Sequence, residues 1–137
     1  MMTRQLRLMV MLVVACFHAQ ADQALDSLTE KAKAGDAIAQ FELGSKYIRG
    51  DGVSQSDKTA VKWYSKAAEQ GDVDAQYNLG LMHLEGKGVK QDYEEAATWL
   101  NKAAQQGDPD AQFNLANLYA EGQGLKQDYQ KAAEWYE

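Results

Sequence analysis

Residues 71–106 read GDVDAQYNLGLMHLEGKGVKQDYEEAATWLNKAAQQ. The same columns stand 36 residues earlier, as GDAIAQFELGSKYIRGDGVSQSDKTAVKWYSKAAEQ at 35–70, and 36 later, as GDPDAQFNLANLYAEGQGLKQDYQKAAEWYE at 107–137. The three copies align without a gap. A unit of about 34 to 40 residues with a helical hydrophobic pattern cannot bury its apolar face alone, so neighbouring copies must stack. The period predicts an all-α solenoid with an extended surface and no demand for a closed pocket.

The columns have physical reasons. Ala39, Ala75 and Ala111 are followed four residues on by Leu43, Leu79 and Leu115, and after four more by Tyr47, His83 and Tyr119. This spacing makes one stripe of a first helix, helix A. Gly44, Gly80 and Ala116 lie beside the stripe, where a minimal side chain admits another helix, although glycine costs roughly 1 kcal/mol of helix propensity. A second helix, helix B, carries Ala60, Trp63 and Ala67, then Ala96, Trp99 and Ala103, then Ala132 and Trp135: a bulky ring flanked by alanines, as knob-and-groove packing requires.

The turns are equally legible. Gly50-Asp51-Gly52, Gly86-Lys87-Gly88 and Gly122-Gln123-Gly124 each offer two residues able to take positive φ, ending helix A, and Val53, Val89 and Leu125 then plug back toward the core. Asp36, Asp72 and Asp108 are placed to cap the next helix A, with Pro109 at a first helical position where proline is favoured. Asp92 with Glu95 reads as a capping-box variant at the start of helix B.

These residues resemble the Sel-1-like repeats, relatives of the tetratricopeptide repeat, through the motif GD-x-x-AQ-x-x-LG-x-x-Y-x-x-G-x-GV-x-x-D-x-x-x-A-x-x-WY-x-KAA over residues 35 to 137. His83 in the tyrosine column, Leu100 for the second aromatic and Ala116 for glycine are departures. The resemblance implies antiparallel helix pairs wound into a right-handed superhelix and used as an adaptor or scaffold for a protein or peptide partner. It also implies that helix A lines the concave side. The helix A positions that vary between copies, Ser45-Lys46, Leu81-Met82 and Asn117-Leu118 with Glu42, Asn78 and Asn114, then form the candidate partner surface. From these the strongest candidates are Glu42, Lys46, Asn78, Met82, Asn114 and Leu118. Asn78 and Asn114 either hold a bound backbone through their amides or bond between adjacent helices; Leu81, Met82 and Leu118 either meet the partner or belong to the interface between repeats.

The first 21 residues differ in kind. Arg4 and Arg7 precede an apolar stretch from Leu8 to Phe17, and Ala19-Gln20-Ala21 is a small-x-small site before Asp22. This pattern predicts a signal peptide at 1–21, cleaved after Ala21, and a periplasmic or extracellular location. The stretch of about ten residues is shorter than the roughly 20 a membrane-spanning helix needs. An alternative reading takes Val13-Val14-Ala15-Cys16 as a lipobox, which places a lipid anchor on Cys16 and makes the protein a membrane-tethered assembly factor. Residues 22–34 read as a helix B without its helix A: shifted by 36, Ala24 aligns with Ala60, Leu28 with Tyr64 and Ala32 with Ala68. Such a helix caps the first repeat (35–70), which is followed by the second (71–106) and an incomplete third (107–137). The third copy stops inside helix B, and truncation of a longer protein is the reading favoured.

Composition narrows the function classes. The net charge is −6, and loss of Arg4 and Arg7 without any acidic residue takes it to −8. Without a basic cluster, neither nucleic acid nor an anionic membrane surface is a suitable partner. Cleavage removes Cys16 and His18, leaving no cysteine and one histidine, His83, which lies on the apolar stripe and reads as a core residue. Cysteine nucleophiles, serine triads and zinc sites therefore lack their residues, and no catalytic, cofactor-binding or metal-ligating set is expected. Some exported relatives with a cysteine pair in each repeat are linked to β-lactam binding or hydrolysis; those pairs are absent here, which disfavours that alternative.

Overall fold

A computed structural model of the chain describes residues 3–136. Seven helices follow one another, with no strand among the described residues: α1 Arg4–Lys33, α2 Ala37–Arg49, α3 Asp57–Glu69, α4 Val73–Glu85, α5 Tyr93–Gln105, α6 Pro109–Glu121 and α7 Tyr129–Tyr136. Helices α2, α4 and α6 are the A helices; α3, α5 and α7 are their B partners. Most packing runs between helices adjacent in the sequence, as a solenoid requires, with lighter contact between successive A helices.

Each helix begins and ends for a local reason. Asp36, Asp72 and Asp108 accept hydrogen bonds from the N–H groups of Ala39, Ala75 and Ala111 at 2.8, 2.8 and 2.7 Å. Ser56 caps α3 through the Thr59 N–H, and Asp92 caps α5 through those of Glu94 and Glu95. The reciprocal half of a capping box is not made at Asp92, because its own N–H already donates to the His83 carbonyl at 2.9 Å. The A helices stop at Gly50, Gly86 and Gly122, all left-handed.

The second glycine of each turn does more than redirect the chain. A side chain on Gly88 would come within 2.5 Å of the Asp57 carbonyl, and Gly124 lies equally close against the backbone of Tyr93. The turns of the second and third repeats thus rest on the first residue of the preceding repeat's helix B, whereas Gly52 in the first meets only the side chain of Leu25.

The core sits in layers between repeats. Leu43, Leu79, Leu100 and Leu115 are its largest fully buried side chains, each contributing about 1.5–3 kcal/mol by burial. Alanines 60, 67, 96, 103 and 111 are wholly buried and let the helices approach. The tryptophans are half-buried lids: Trp63 packs on the Ala39–Leu43 layer, Trp99 on that of Leu79, and Trp135 on that of Leu115. Lys66 and Lys102 lie over the rings of Trp63 and Trp99, 4.9 and 4.0 Å from their centroids.

Helix α1 joins two segments that the sequence separates. It runs unbroken through Ala21-Asp22; Leu25, Leu28 and Ala32 pack against Ala39 and Leu43 as a helix B would, while Leu6, Leu8 to Val14 and Phe17 are exposed. The sequence sets the apolar stretch at about ten residues, too short to span a bilayer. As one helix, α1 has an 18-residue window of mean hydropathy 1.5, long and apolar enough by length and composition to cross a membrane, a property that signal sequences share.

Candidate functional site

The helix A residues that vary between copies fall into three rows with different fates. In the row 45, 81 and 117, the identity of each residue follows that of its neighbour on helix B. Ser45 Oγ lies 3.0 Å from the Tyr64 hydroxyl, and the Tyr136 hydroxyl donates to Asn117 Oδ1 at 2.5 Å. In the middle copy both partners are leucine, Leu81 and Leu100. This row answers to the interior of its own repeat.

In the row 46, 82 and 118, Met82 and Leu118 are 5% and 3% exposed. The preceding A helix covers them, so they belong to the interface between repeats and are withdrawn from any accessible surface. Lys46 has no A helix before its own; half-buried, it forms an ion pair with Asp51 at 2.9 Å. That hydrogen bond and charge hold the Asp51 carboxyl below its ordinary range.

The row 42, 78 and 114 is accessible. Glu42 is exposed. The amides of Asn78 and Asn114 turn back onto their own helices, donating to the Asp74 and Asp110 carbonyls at 2.7 and 2.8 Å. Asn114 also stands beside the Tyr77 hydroxyl of α4; burial, with Asp110 and Asp108 nearby, raises the pKa of this phenol. Both asparagines are thus engaged within the scaffold.

The six candidates therefore do not form one continuous surface. Glu42 and Lys46 come together on a groove of about 690 Å³ between α1 and α2, whose walls are Ala21, Ala24, Leu25 and Leu28 on one side and Ile38 on the other, with Lys31 and Asp36 at one end. Asn78 and Met82 border a smaller cleft of about 140 Å³ with Ile48, Tyr64, Leu81, Glu85 and Lys87. Among the described residues no group of three or more His, Cys, Asp or Glu side chains is placed to hold a metal ion. His83 is half-buried in the tyrosine column, its Nδ1 buried without a hydrogen-bond partner.

One set of polar residues carries more of the structure than the sequence reading assigned to it. Gln40 and Gln76 are buried; their amides donate to the Ala32 and Ala68 carbonyls of the preceding helix, and their carbonyls accept from Gln70 and Gln106 at 2.8 Å. Gln112 repeats the first bond, to Ala104. Gln40 and Gln76 thus each tie three helices together. The signal was a glutamine beside the stripe alanine in all three copies.

The profile described as Sel1 repeat matches residues 37–72, 73–108 and 109–137. No curated protein matches the chain. Among solved structures, a protective antigen of uropathogenic Escherichia coli strains displaying an SLR fold is 44% identical with a TM-score of 0.77, the match covering 81% of this chain and 24% of that one. The chain therefore spans about a quarter of that antigen's length. A Sel1 repeat protein from Oxalobacter formigenes is 41% identical, with a TM-score of 0.76 and coverage of 83% and 86%. The cysteine-rich protein B of Helicobacter pylori is 28% identical, with a TM-score of 0.63 and coverage of 66% and 68%.

Proposed function

Because the chain belongs to the Sel1 repeat family, whose repeats generally mediate protein–protein interaction, we propose that it is an exported, non-enzymatic scaffold for a protein partner in the periplasm or outside the cell. One observation carries this reading. The residues that recur in every copy are accounted for as core, caps and turns, whereas Glu42 and Lys46, which break the pattern, gather on an open groove.

Export rests on the N-terminal segment. Nine apolar side chains between Leu6 and Phe17 are exposed on α1 behind Arg4 and Arg7, and a small-x-small site follows at Ala19 and Ala21. The acidic balance of −6 favours a partner of basic or mixed charge. The reading that tethers the protein through a lipid on Cys16 draws on the exposure of that thiol. Labelled palmitate incorporated by the natural chain and lost in Cys16→Ser would select it over simple cleavage.

The test expresses the chain from Met1, fractionates the cells, and measures the mass of the product. A mature chain beginning at Asp22 in the exported fraction is the expected result. Affinity capture from that compartment should then return a specific protein, lost with the paired reversal Glu42→Lys and Lys46→Glu. Retention in the cytoplasm at full mass, or no specific partner, would overturn the proposal.

A further inference from the structure

The groove between α1 and α2 has a counterpart in the interior of the solenoid. There, the face of a helix B that includes Ala60 and Tyr64 is covered by its own A helix, with the Tyr64 ring seated on Gly44 and the Ala60 carbonyl 3.4 Å from where a side chain on that glycine would lie. Leu100 and Ala96 meet Gly80 in the same way. Helix α1 presents the equivalent pair, Leu28 and Ala24, one turn apart on the groove wall. No A helix stands before it. Ala24 is exposed, whereas Ala60, Ala96 and Ala132 in its column are 0%, 0% and 3% exposed.

The lining is not a plain copy of that interior seat. Lys31 stands where Ala67 and Ala103 are buried, Lys46 where Met82 and Leu118 are buried, and Ile38, 67% exposed, where the later copies have Asp74 and Asp110. Two apolar positions have become lysines and an acidic one has become isoleucine. Of the carboxylates on the groove, Asp36 already caps α2, so Glu42 is the acidic group left facing it. The changes thus add positive charge around an apolar floor.

We infer that this groove is the seat of an amphipathic α-helix from a partner protein, lying where the A helix of a preceding repeat would lie. The helix carries a residue no larger than alanine opposite Leu28: glycine stands against Tyr64 and Leu100 in that column, and Ala116 holds the same position in the third copy. It carries carboxylates on the flanks facing Lys31 and Lys46. A helix of 13 residues, the length of the chain's own A helices, spans about 20 Å and needs no closed pocket, as in other helix-in-groove recognition. The inference rests on the scaffold reading above and names the surface and the chemistry of its partner.

A probe is available within the chain itself. Residues 108–122, DPDAQFNLANLYAEG, contain α6 with both its caps, with Ala116 at the seat position, three carboxylates and no lysine or arginine. Binding of this synthetic peptide to the protein, expressed from Met1 and used in the processed form its mass reveals, is followed by amide NMR. Saturable binding is expected, with shifts centred on Ala24, Leu28, Ile38 and Glu42. The Ala116→Leu peptide should bind at least about fivefold more weakly, since overpacking costs on the order of 1–3 kcal/mol. In the protein, Lys31→Glu should weaken binding and Ala24→Trp should abolish it. Ile38→Asp, at an exposed position where the other repeats carry aspartate, should weaken it with no effect on folding and so serves if Ala24→Trp does not fold.

Equal binding of the two peptides, shifts elsewhere on the solenoid, no binding, or a protein dimer that Ile38→Asp dissolves would overturn the inference; the last would assign the groove to a second copy. The two proposals fail separately. A captured partner retained by Ile38→Asp and Ala24→Trp removes the groove and leaves the scaffold standing, whereas peptide binding without any captured partner does the reverse.

Discussion

The ring of Tyr64 fills the space that a side chain at Gly44 would need: a Cβ there would lie 2.8 Å from two ring carbons. Glycine in mid-helix costs roughly 1 kcal/mol relative to alanine, so the contact explains why α2 tolerates it. Gly44→Ala gains that propensity but overpacks a buried ring, at about 1–3 kcal/mol, and a rigid aromatic has little room to yield. A net loss of about 1 kcal/mol is expected in urea denaturation. In a Tyr64→Ala background the same change should cost nothing further; an equal loss in both backgrounds would refute the packing account.

Removing the glutamine staple should be costly. Gln76→Ala removes the side-chain donor of the Ala68 carbonyl, which keeps the Gly71 N–H, and leaves the Gln106 amide with the Gly71 carbonyl alone. Both groups keep one partner, so the loss is the net worth of the two hydrogen bonds removed, about 0.5–1.5 kcal/mol each. Gln106→Ala alone should cost less, because its side chain is exposed. A double-mutant cycle should show a coupling of about 0.5 kcal/mol or more between the two; strict additivity would show that the 2.8 Å contact contributes nothing.

The covariation between rows can be transplanted. Leu81→Asn places an amide beside Leu100, and Leu100→Tyr places a hydroxyl beside Leu81; each alone leaves a polar group without its partner. The double change recreates the pair Asn117–Tyr136. It should recover about 0.5–1.5 kcal/mol over the sum of the single losses, the net worth of one hydrogen bond. Thermal unfolding of the four proteins checks this, and no recovery would mean that the rows vary independently.

Alkaline pH should weaken the fold. Burial raises the Tyr64 phenol, offset in part by the Ser45 hydrogen bond and by Arg49; burial also raises Tyr77, reinforced by Asp110 and Asp108. The unfolded chain releases these protons near pH 10 while the folded chain keeps them. Their contribution is therefore complete below about pH 10 and is lost as pH rises through the raised folded values. Urea midpoints should fall between about pH 9 and 11, less steeply in Tyr77→Phe, and phenolate absorbance should show a late-titrating fraction that vanishes on unfolding.

Most of the scaffold was legible because the repeat states each requirement three times. Ala39, Ala75 and Ala111, the capping aspartates and the turn glycines can be read from one sequence because independent copies agree. Contacts between copies were harder to read. Gly88 was visible as a turn residue, but its approach to Asp57 depends on how two repeats stack, and no local pattern encodes that. Met82 and Leu118 vary, which suggested a partner surface, yet they vary inside an interface that tolerates several apolar shapes. The unbroken course of α1 through Ala21 joins a segment with the composition of a signal to one that packs as a helix B, and composition alone divides the two. The groove is marked in the sequence where the first copy departs from the others at Ile38, Glu42 and Lys46, but the exposure of Ile38 follows only from the absence of an A helix before α1.

The seating of Gly88 on Asp57 and of Gly124 on Tyr93 also bears on how such a chain changes length over generations. Each contact links a unit only to the one before it, so a whole block of 36 residues can be duplicated or deleted by unequal recombination with every junction re-formed from sequence already present. A gain or loss of a few residues within a block has no such protection, since it pulls a turn glycine off its neighbour's backbone. Descent by whole blocks, with divergence left to Ile38 and Lys46 at the open end, is the history this geometry favours.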